Sequence, residues 1–223
     1  MAFLQSHPPR EPFLHAPAVV LGLIGVLAAI HLAVTFLPVP TSVLEQFAFV
    51  PARYAEGAGL LALVVPLVSH MFLHGSFTHL IINCLWLLAF GPVVARRCGA
   101  LVFLAFFLAC GVAGALAFLA FNWGSTDGMI GASGGISGLM AAGFRMLRWP
   151  GVHSSSRLVP LLSRPIVMFS TVWLVTNFLF GISGFGTGNS GQLIAWQAHM
   201  GGYLFGLIAI GGFDRLRPRH SLS

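Results

Sequence analysis

Long apolar runs alternate with short polar segments along most of the chain, and this pattern predicts helices rather than strands. Each run is close to the ~20 residues that one helix needs to cross a bilayer. The runs lack the ~10-residue alternation of apolar and polar positions that is typical of a membrane β-barrel. The pattern predicts an all-α membrane protein with six spans, at residues 16–37, 77–94, 100–121, 130–147, 165–181 and 192–213.

The connection between the first two predicted spans contains a further apolar stretch. Residues 58–69 are apolar but interrupted by Pro66, and the stretch is too short to cross a bilayer. We expect it to lie in the membrane interface or to re-enter it. Residues 181–191 are rich in Gly and Ser, which predicts a flexible outer loop and a candidate moving cap. Because the sequence shows no fixed-period repeat, we expect one membrane domain over residues 1–223.

The composition narrows the class of protein further. Hydrophobic residues make up 57% of the chain and charged residues only 7%, whereas about a quarter of a soluble domain is charged. Three cysteines without a CxxC pair predict neither a disulfide framework nor a zinc site. The net charge of +6 comes from scattered arginines, which membrane topology explains better than a nucleic-acid partner does.

The positions of these arginines predict the orientation in the membrane. Cytoplasmic loops retain positively charged residues. Ten of the eleven arginines fall on the side of the predicted spans that holds both termini, and only Arg53 falls on the other. We therefore expect both termini in the cytoplasm, with the second, fourth and sixth spans entering from the outer face. The asymmetry and the short tails favour a bacterial inner (plasma) membrane.

Polar side chains inside the predicted spans are functional hypotheses, because they are costly to bury in lipid. No Asp, Glu, Lys or Arg lies well within a span, which argues against a proton-coupled transporter or a voltage sensor. The main polar side chains that remain are His31, His79, Asn83, Ser133, Ser137, Asn177 and His199.

Three spans that enter from the outer face place polar groups at a similar shallow depth. His79 and Asn83 are four residues apart and share one helix face. Ser133 is in the first turn of the fourth predicted span, and His199 is about eight residues into the sixth, roughly 12 Å deep at 1.5 Å per residue. The matched depth indicates one site, whereas His31 has no such neighbours and is interpreted as a structural residue.

Glycines beside these groups favour close helix contacts. Small residues at spacing four allow two helix backbones to approach within a membrane. Gly131 and Gly134 begin such pairs on the fourth span, and Gly202 with Gly206 forms one on the sixth. Close packing there would bring a serine hydroxyl within the ~2.6–3.2 Å that it needs to reach an imidazole on another helix.

At these residues the sequence resembles the rhomboid family of intramembrane serine proteases. Four features carry the resemblance: Gly131-Ala-Ser-Gly134, Ala198-His-Met-Gly-Gly202 followed by Gly206, His79-x-x-x-Asn83, and the approach from His70 to His79. The resemblance implies a six-transmembrane-helix bundle of rhomboid type, with a half-submerged first outer loop.

The resemblance also implies roles for the site residues. Ser133 would be the nucleophile and His199 the general base, while His79 and Asn83 would help to form the oxyanion hole. The implied activity is that of a serine endopeptidase that cuts peptide bonds in or near transmembrane segments. Its partners would be transmembrane protein substrates and the lipid bilayer, with no cofactor or metal. A dyad without a carboxylate leaves nothing charged to fix the imidazole tautomer.

The chain departs from the family pattern at two places. Many rhomboids carry a Trp-Arg pair in the first outer loop, where this chain has Val65 and Pro66. Several also place an aromatic ring four residues after the nucleophile, against the catalytic imidazole, where this chain has Ser137. The sequence predicts no replacement for either feature.

Two alternatives stay open from the sequence. The first is a bis-histidine haem or metal protein that uses His31, His79 and His199, although the chain lacks a His-Glu-x-x-His motif. The second is an inactive rhomboid-like protein that binds or escorts membrane proteins. The presence of both Ser133 and His199 argues against inactivity.

Overall fold

The computed structural model describes residues 16–147, 158–183 and 195–216, which are largely helical. Within these ranges the only strand-like feature is an isolated antiparallel bridge between Phe49 and Met129. The long helices are α1 (Ala18–Phe36), α6 (Phe77–Cys98), α7 (Ala100–Phe121), α8 (Ser133–Met146), α9 (Arg164–Ser183) and α10 (Trp196–Arg215). The short helices between α1 and α6 are α2 (Thr41–Phe47), α3 (Ala52–Ala55), α4 (Leu60–Val64) and α5 (Pro66–Ser69), followed by a 3-10 turn at His70–Phe72.

Four of the described helices are long and apolar enough to cross a membrane, namely α1, α6, α7 and α9. Helix α8 has 14 residues and is shorter than the predicted span at 130–147, because Gly131 turns the chain with φ 122° just before it. Helix α10 has 20 residues, but its histidine, its glycines and the terminal Asp214 and Arg215 lower its mean hydropathy. The described chain is thus all-helical, with four helices that are both long and apolar enough to cross a membrane.

Helix α8 lies at the centre of the described bundle, between α6, α7 and α10. Every residue from Gly134 to Gly143 is buried. Helix α9 is much less buried than α8, because along its length only Ile166, Asn177 and Gly181 are buried. Many of the other side chains of α9 are exposed and apolar, as a lipid-facing surface requires.

Glycines allow α8 and α10 to touch along their backbones. A Cβ atom added to Gly202 would lie 2.0 Å from the carbonyl oxygen of Gly134, and one added to Gly206 would lie 2.5 Å from the Cα of Gly138. Any side chain at either position would collide with the backbone of α8. The first two turns of α8 are therefore in direct contact with the second and third turns of α10.

The connection between α1 and α6 is held by bonds from side chains to backbone carbonyls. Within it, α4 carries Leu60 and Leu61, which are 74% and 78% exposed. The apolar stretch predicted at residues 58–69 therefore presents these two leucines outward. Pro66 does not end this stretch but begins α5, where a proline at the first helical position leaves no bond unmade. The anchoring bonds run from Arg53 Nη1 to Ala48 O at 3.1 Å, Tyr54 Oη to Leu63 O at 2.6 Å, and Ser69 Oγ to Phe47 O at 2.8 Å.

Two arginines stabilise the end of the bundle at which α6, α8 and α10 terminate. Arg97 in α6 donates two hydrogen bonds to the Asp214 carboxylate in α10, at 2.8 and 2.9 Å. Arg145 in α8 donates to the carbonyls of Val159 and Leu207 at 3.0 and 2.7 Å. These charge-assisted bonds tie α6, α8 and α10 together.

Some sequence predictions fall on residues outside the described ranges. The candidate cap at 181–191 lies there except for Gly181, Ile182 and Ser183, which belong to the end of α9. The prediction of a single domain over residues 1–223 also stays a prediction.

Candidate active site

Ser133 and His199 are brought together by the contact between α8 and α10. The Nε2 atom of His199 is 2.7 Å from the Oγ atom of Ser133, a hydrogen bond between residues 66 positions apart in the chain. Ser133 is the first residue of α8. His199 is the fourth residue of α10, because that helix begins at Trp196 and not at residue 192 as predicted. Both groups thus lie at helix N-termini.

The backbone just before Ser133 is held by the first connecting segment. The Gly131 amide donates to the carbonyl of His70 at 2.8 Å, and its φ of 122° lies in a region that favours glycine. A Cβ atom on Gly131 would lie 2.8 Å from the Nε2 atom of His79 and 3.8 Å from Ser133 Oγ. Gly131 therefore lies just before α8 and borders the site. The sequence instead predicts that it packs one helix against another.

His79 and Asn83 lie on one face of the first turns of α6. Ser76 caps this helix and accepts a hydrogen bond from the His79 amide at 3.2 Å. Asn83 is 3% exposed, and its Nδ2 atom donates to the His79 carbonyl at 2.8 Å. Since an amide nitrogen carries two hydrogens, Asn83 keeps a second one to donate.

The start of α8 adds backbone donors to this group of side chains. The first four amide N–H groups of a helix have no acceptor within the helix, and the positive end of the helix favours negative charge. The Ser133 hydroxyl thus has an imidazole on one side and a helix N-terminus at its own backbone. Such an arrangement suits nucleophilic attack on a carbonyl group followed by stabilisation of an oxyanion.

A third polar residue contacts His199 from the other side. The Oδ1 atom of Asn177, in α9, is 2.8 Å from the Nδ1 atom of His199, and its Nδ2 atom donates to the carbonyl of Trp196 at 3.0 Å. The sequence identified Asn177 only as a polar residue in a span and gave it no role. A signal was present, because an amide in an apolar span needs polar partners to offset its burial.

The remaining histidines of the region lie beside the site without contacting Ser133. His31 is 5% exposed and packs edge-on against Phe77, with ring centroids 4.6 Å apart. His70 donates from Nδ1 to the Pro66 carbonyl at 2.7 Å, and burial lowers its pKa to about 4. Burial also lowers the pKa of His74 to about 3. Within the described ranges, no three His, Cys, Asp or Glu residues are grouped so that they could hold a metal ion.

Comparison with known proteins agrees with the resemblance found in the sequence. The family model described as Rhomboid domain matches residues 62–213. Two similar curated proteins are the Rhomboid protease GlpG of Yersinia pestis (strain Pestoides F) and that of Yersinia pseudotuberculosis serotype O:3 (strain YPIII). Each is 28% identical over 141 residues, which cover 63% of this chain and 45% of the relative. The chain spans about half the length of the curated relatives it matches.

Proposed function

The chain belongs to the rhomboid family, and on that basis we propose that it is an intramembrane serine endopeptidase. It would hydrolyse peptide bonds in or next to the transmembrane segments of membrane proteins. The observation that carries the proposal is the 2.7 Å hydrogen bond between His199 Nε2 and Ser133 Oγ at the N-terminus of α8. A serine hydroxyl within reach of a base is the signature of an activated nucleophile.

The reaction follows from the chemistry of these two groups. His199 Nε2 accepts the hydroxyl proton as Ser133 Oγ bonds to the scissile carbonyl carbon. The tetrahedral intermediate collapses, the C–N bond breaks, and the imidazolium returns the proton to the leaving amine. A water molecule then attacks the acyl ester while His199 accepts its proton and passes it to Ser133 Oγ.

The oxyanion of the tetrahedral intermediate needs donors that are already in place. We assign this role to the Ser133 backbone N–H, the second Asn83 amide hydrogen and the His79 ring. The assignment is supported by the burial of Asn83 and by the position of the His79 ring beside Gly131. Removal of one such donor typically raises the barrier by about 2.7–4 kcal/mol.

In the membrane, α8 and α10 would join the four apolar helices to make six spans. The leucines exposed on α4 support a first outer loop that is half-submerged in lipid. The arginines support cytoplasmic termini in a bacterial inner membrane, because all described ones except Arg53 lie at the ends of helices that would face the cytoplasm. These residues are Arg96, Arg97, Arg145, Arg164 and Arg215.

A transmembrane substrate would have to expose its scissile bond before cleavage. A helix hides its peptide groups within its own hydrogen bonds, and glycine and proline weaken those bonds most. We therefore propose that the enzyme favours transmembrane segments with Gly, Pro or other small residues near the cleaved bond.

The test is cleavage of a reporter with one transmembrane segment, reconstituted with the protein in liposomes. The wild type should cut the reporter, and Ser133→Ala and His199→Ala should each abolish cleavage. Ser137→Ala is the matched control, because Ser137 is a buried serine one turn further along α8 and should retain activity. EDTA should have no effect.

Each contrary result has a defined meaning. Cleavage that persists in Ser133→Ala, or that stops on chelation, would rule out the serine mechanism. A wild-type protein that binds the reporter without cutting it would favour the escort function over the protease.

A further inference from the structure

His199 makes a second side-chain hydrogen bond, from the ring nitrogen that faces away from Ser133. We propose that Asn177 is a positioning residue that holds the imidazole in its working tautomer and orientation, so that the site operates as a Ser133–His199–Asn177 triad. This inference rests on the proposed protease function. It assigns a role to a neutral residue where the family resemblance implies a dyad with no third member.

The hydrogen-bonding pattern fixes which way the Asn177 amide faces. The Trp196 backbone carbonyl can only accept a hydrogen bond, so the Asn177 atom that contacts it at 3.0 Å must be the nitrogen Nδ2. The other end of the same planar amide is the oxygen Oδ1, which therefore faces His199 Nδ1 at 2.8 Å. The Trp196 carbonyl thus sets the orientation of the amide.

The amide orientation in turn fixes the tautomer of His199. Oδ1 of Asn177 can only accept, so Nδ1 of His199 must carry the proton and donate it. A neutral imidazole protonated on Nδ1 has its free lone pair on Nε2, the atom 2.7 Å from the Ser133 hydroxyl. That lone pair is what a general base needs in order to accept the serine proton. The two hydrogen bonds of Asn177 therefore prepare the base before substrate binds.

The same contact also serves the charged form of the imidazole. When His199 takes the serine proton, the Nδ1–H donor is retained and its bond to Oδ1 becomes charge-assisted, which roughly doubles its strength. Asn177 is 6% exposed, so water competes little for this bond. A neutral oxygen stabilises the imidazolium less than a carboxylate would, but it avoids the expense of a buried negative charge in lipid.

The alternative role for Asn177 is purely structural, namely to hold α9 against α10. The chain offers a matched comparison, because the Ser170 hydroxyl bonds to the Tyr203 hydroxyl at 2.8 Å and ties the same two helices. Ser170 precedes Asn177 by seven residues on α9, so both lie on one helix face. Ser170→Ala removes a polar tie between α9 and α10 without touching His199.

The kinetic test compares three variants in the liposome assay. Asn177→Leu is close in size and removes the acceptor on Nδ1, and kcat should fall roughly 10- to 100-fold with KM within about twofold. The fall is smaller than the ~10⁴-fold loss when a charged third member is replaced. Asn177→Asp keeps an oxygen facing Nδ1 and should retain at least about fivefold more kcat than Asn177→Leu. Ser170→Ala should stay within about threefold of wild type.

Two kinetic outcomes would overturn the proposal. In one, Asn177→Leu loses no more activity than Ser170→Ala. In the other, Asn177→Asp is as slow as Asn177→Leu, since the retained oxygen would then confer nothing.

A second measurement does not depend on protease activity. With ¹⁵N-labelled histidine, NMR spectra of wild type and His199→Ala identify the His199 ring signals. The proposal requires a protonated Nδ1 and an unprotonated Nε2 in the wild type, and a mixture of tautomers in Asn177→Leu. A proton on Nε2 in the wild type would overturn it. If the tautomer is as expected but the reporter stays uncut, the proposed function fails while the assignment of Asn177 stands.

Discussion

Gly202→Ala should inactivate the protein although residue 202 carries no chemical group that reacts. Gly202 follows His199 by three residues and so lies on the same face of α10. Its Cα approaches the carbonyl of Gly134, which directly follows Ser133, the proposed nucleophile. The substitution adds one methyl group at this contact.

The size of the disturbance follows from the distances. The new Cβ would lie 2.0 Å from the Gly134 oxygen, whereas ordinary contact begins near 3.4 Å. The two backbones would have to separate by about 1.4 Å. If the first two turns of α10 move as a unit, the 2.7 Å bond from His199 to Ser133 opens beyond ~3.5 Å, where it is no longer a hydrogen bond. Overpacking of this kind costs about 1–3 kcal/mol. Ala gains ~1 kcal/mol over Gly in a helix, so the net loss of stability is up to about 2 kcal/mol.

The assay measures reporter cleavage and thermal unfolding on the same samples. Gly212→Ala is the control, because Gly212 lies on α10 and a Cβ there would meet nothing within 4 Å. We expect Gly202→Ala to cleave at least 100-fold more slowly and to unfold at lower temperature, while Gly212→Ala keeps full activity and equal or higher stability. If Gly202→Ala cleaves the reporter at the wild-type rate, the inference that backbone contact between α8 and α10 aligns Ser133 with His199 is refuted.

Two further predictions concern Asn83 in the site and His70 beside it. Asn83→Ala should lower kcat at least tenfold with little change in KM, because an oxyanion donor acts in the transition state; unchanged turnover in the reporter assay would remove Asn83 from the oxyanion hole. Burial lowers the pKa of His70 from 6.5 to about 4, so between these pH values the unfolded chain binds a proton that the folded chain does not. The free energy of unfolding should therefore fall by about 3 kcal/mol as the pH drops through this window. His70→Asn, whose amide can replace Nδ1 as a donor, should show a shallower pH dependence in detergent unfolding, and an identical slope would contradict the assignment.

The sequence predicted the long helices well because hydropathy decides where a helix can lie in lipid. Helix α7 occupies the predicted residues 100–121, and α6 begins at the predicted Phe77. The start of α8 was predicted three residues too early. Residues 130–132 are as apolar as a helix requires, but the positive φ of Gly131 and its bond to the His70 carbonyl belong to tertiary structure. Hydropathy does not report such contacts.

The same limit explains which candidate site residues the sequence could predict. Ser133, His199, His79 and Asn83 belong to short motifs with recognisable spacing. Asn177 belongs to no motif, since its partners are 19 and 22 residues away on a different helix. Whether an amide in a span meets an imidazole or a backbone carbonyl depends on how α9 rotates against α10. That rotation is set by packing, which local sequence does not specify.

No charged residue lies well within a predicted span, and this also constrains the proposed mechanism. A base must be oriented by a partner on its second nitrogen, and in water-exposed enzymes a carboxylate can do this. In lipid a carboxylate carries a solvation penalty, which offsets the advantage of its stronger hydrogen bond. The amide of Asn177 meets both requirements, because it is neutral and still accepts a hydrogen bond from His199. The same planar group donates a hydrogen bond to the Trp196 carbonyl. An Asn177→Asp enzyme should accordingly be no faster than wild type, even though Asp is the stronger acceptor, and a faster Asp variant in the liposome assay would show that the lipid setting does not impose this limit.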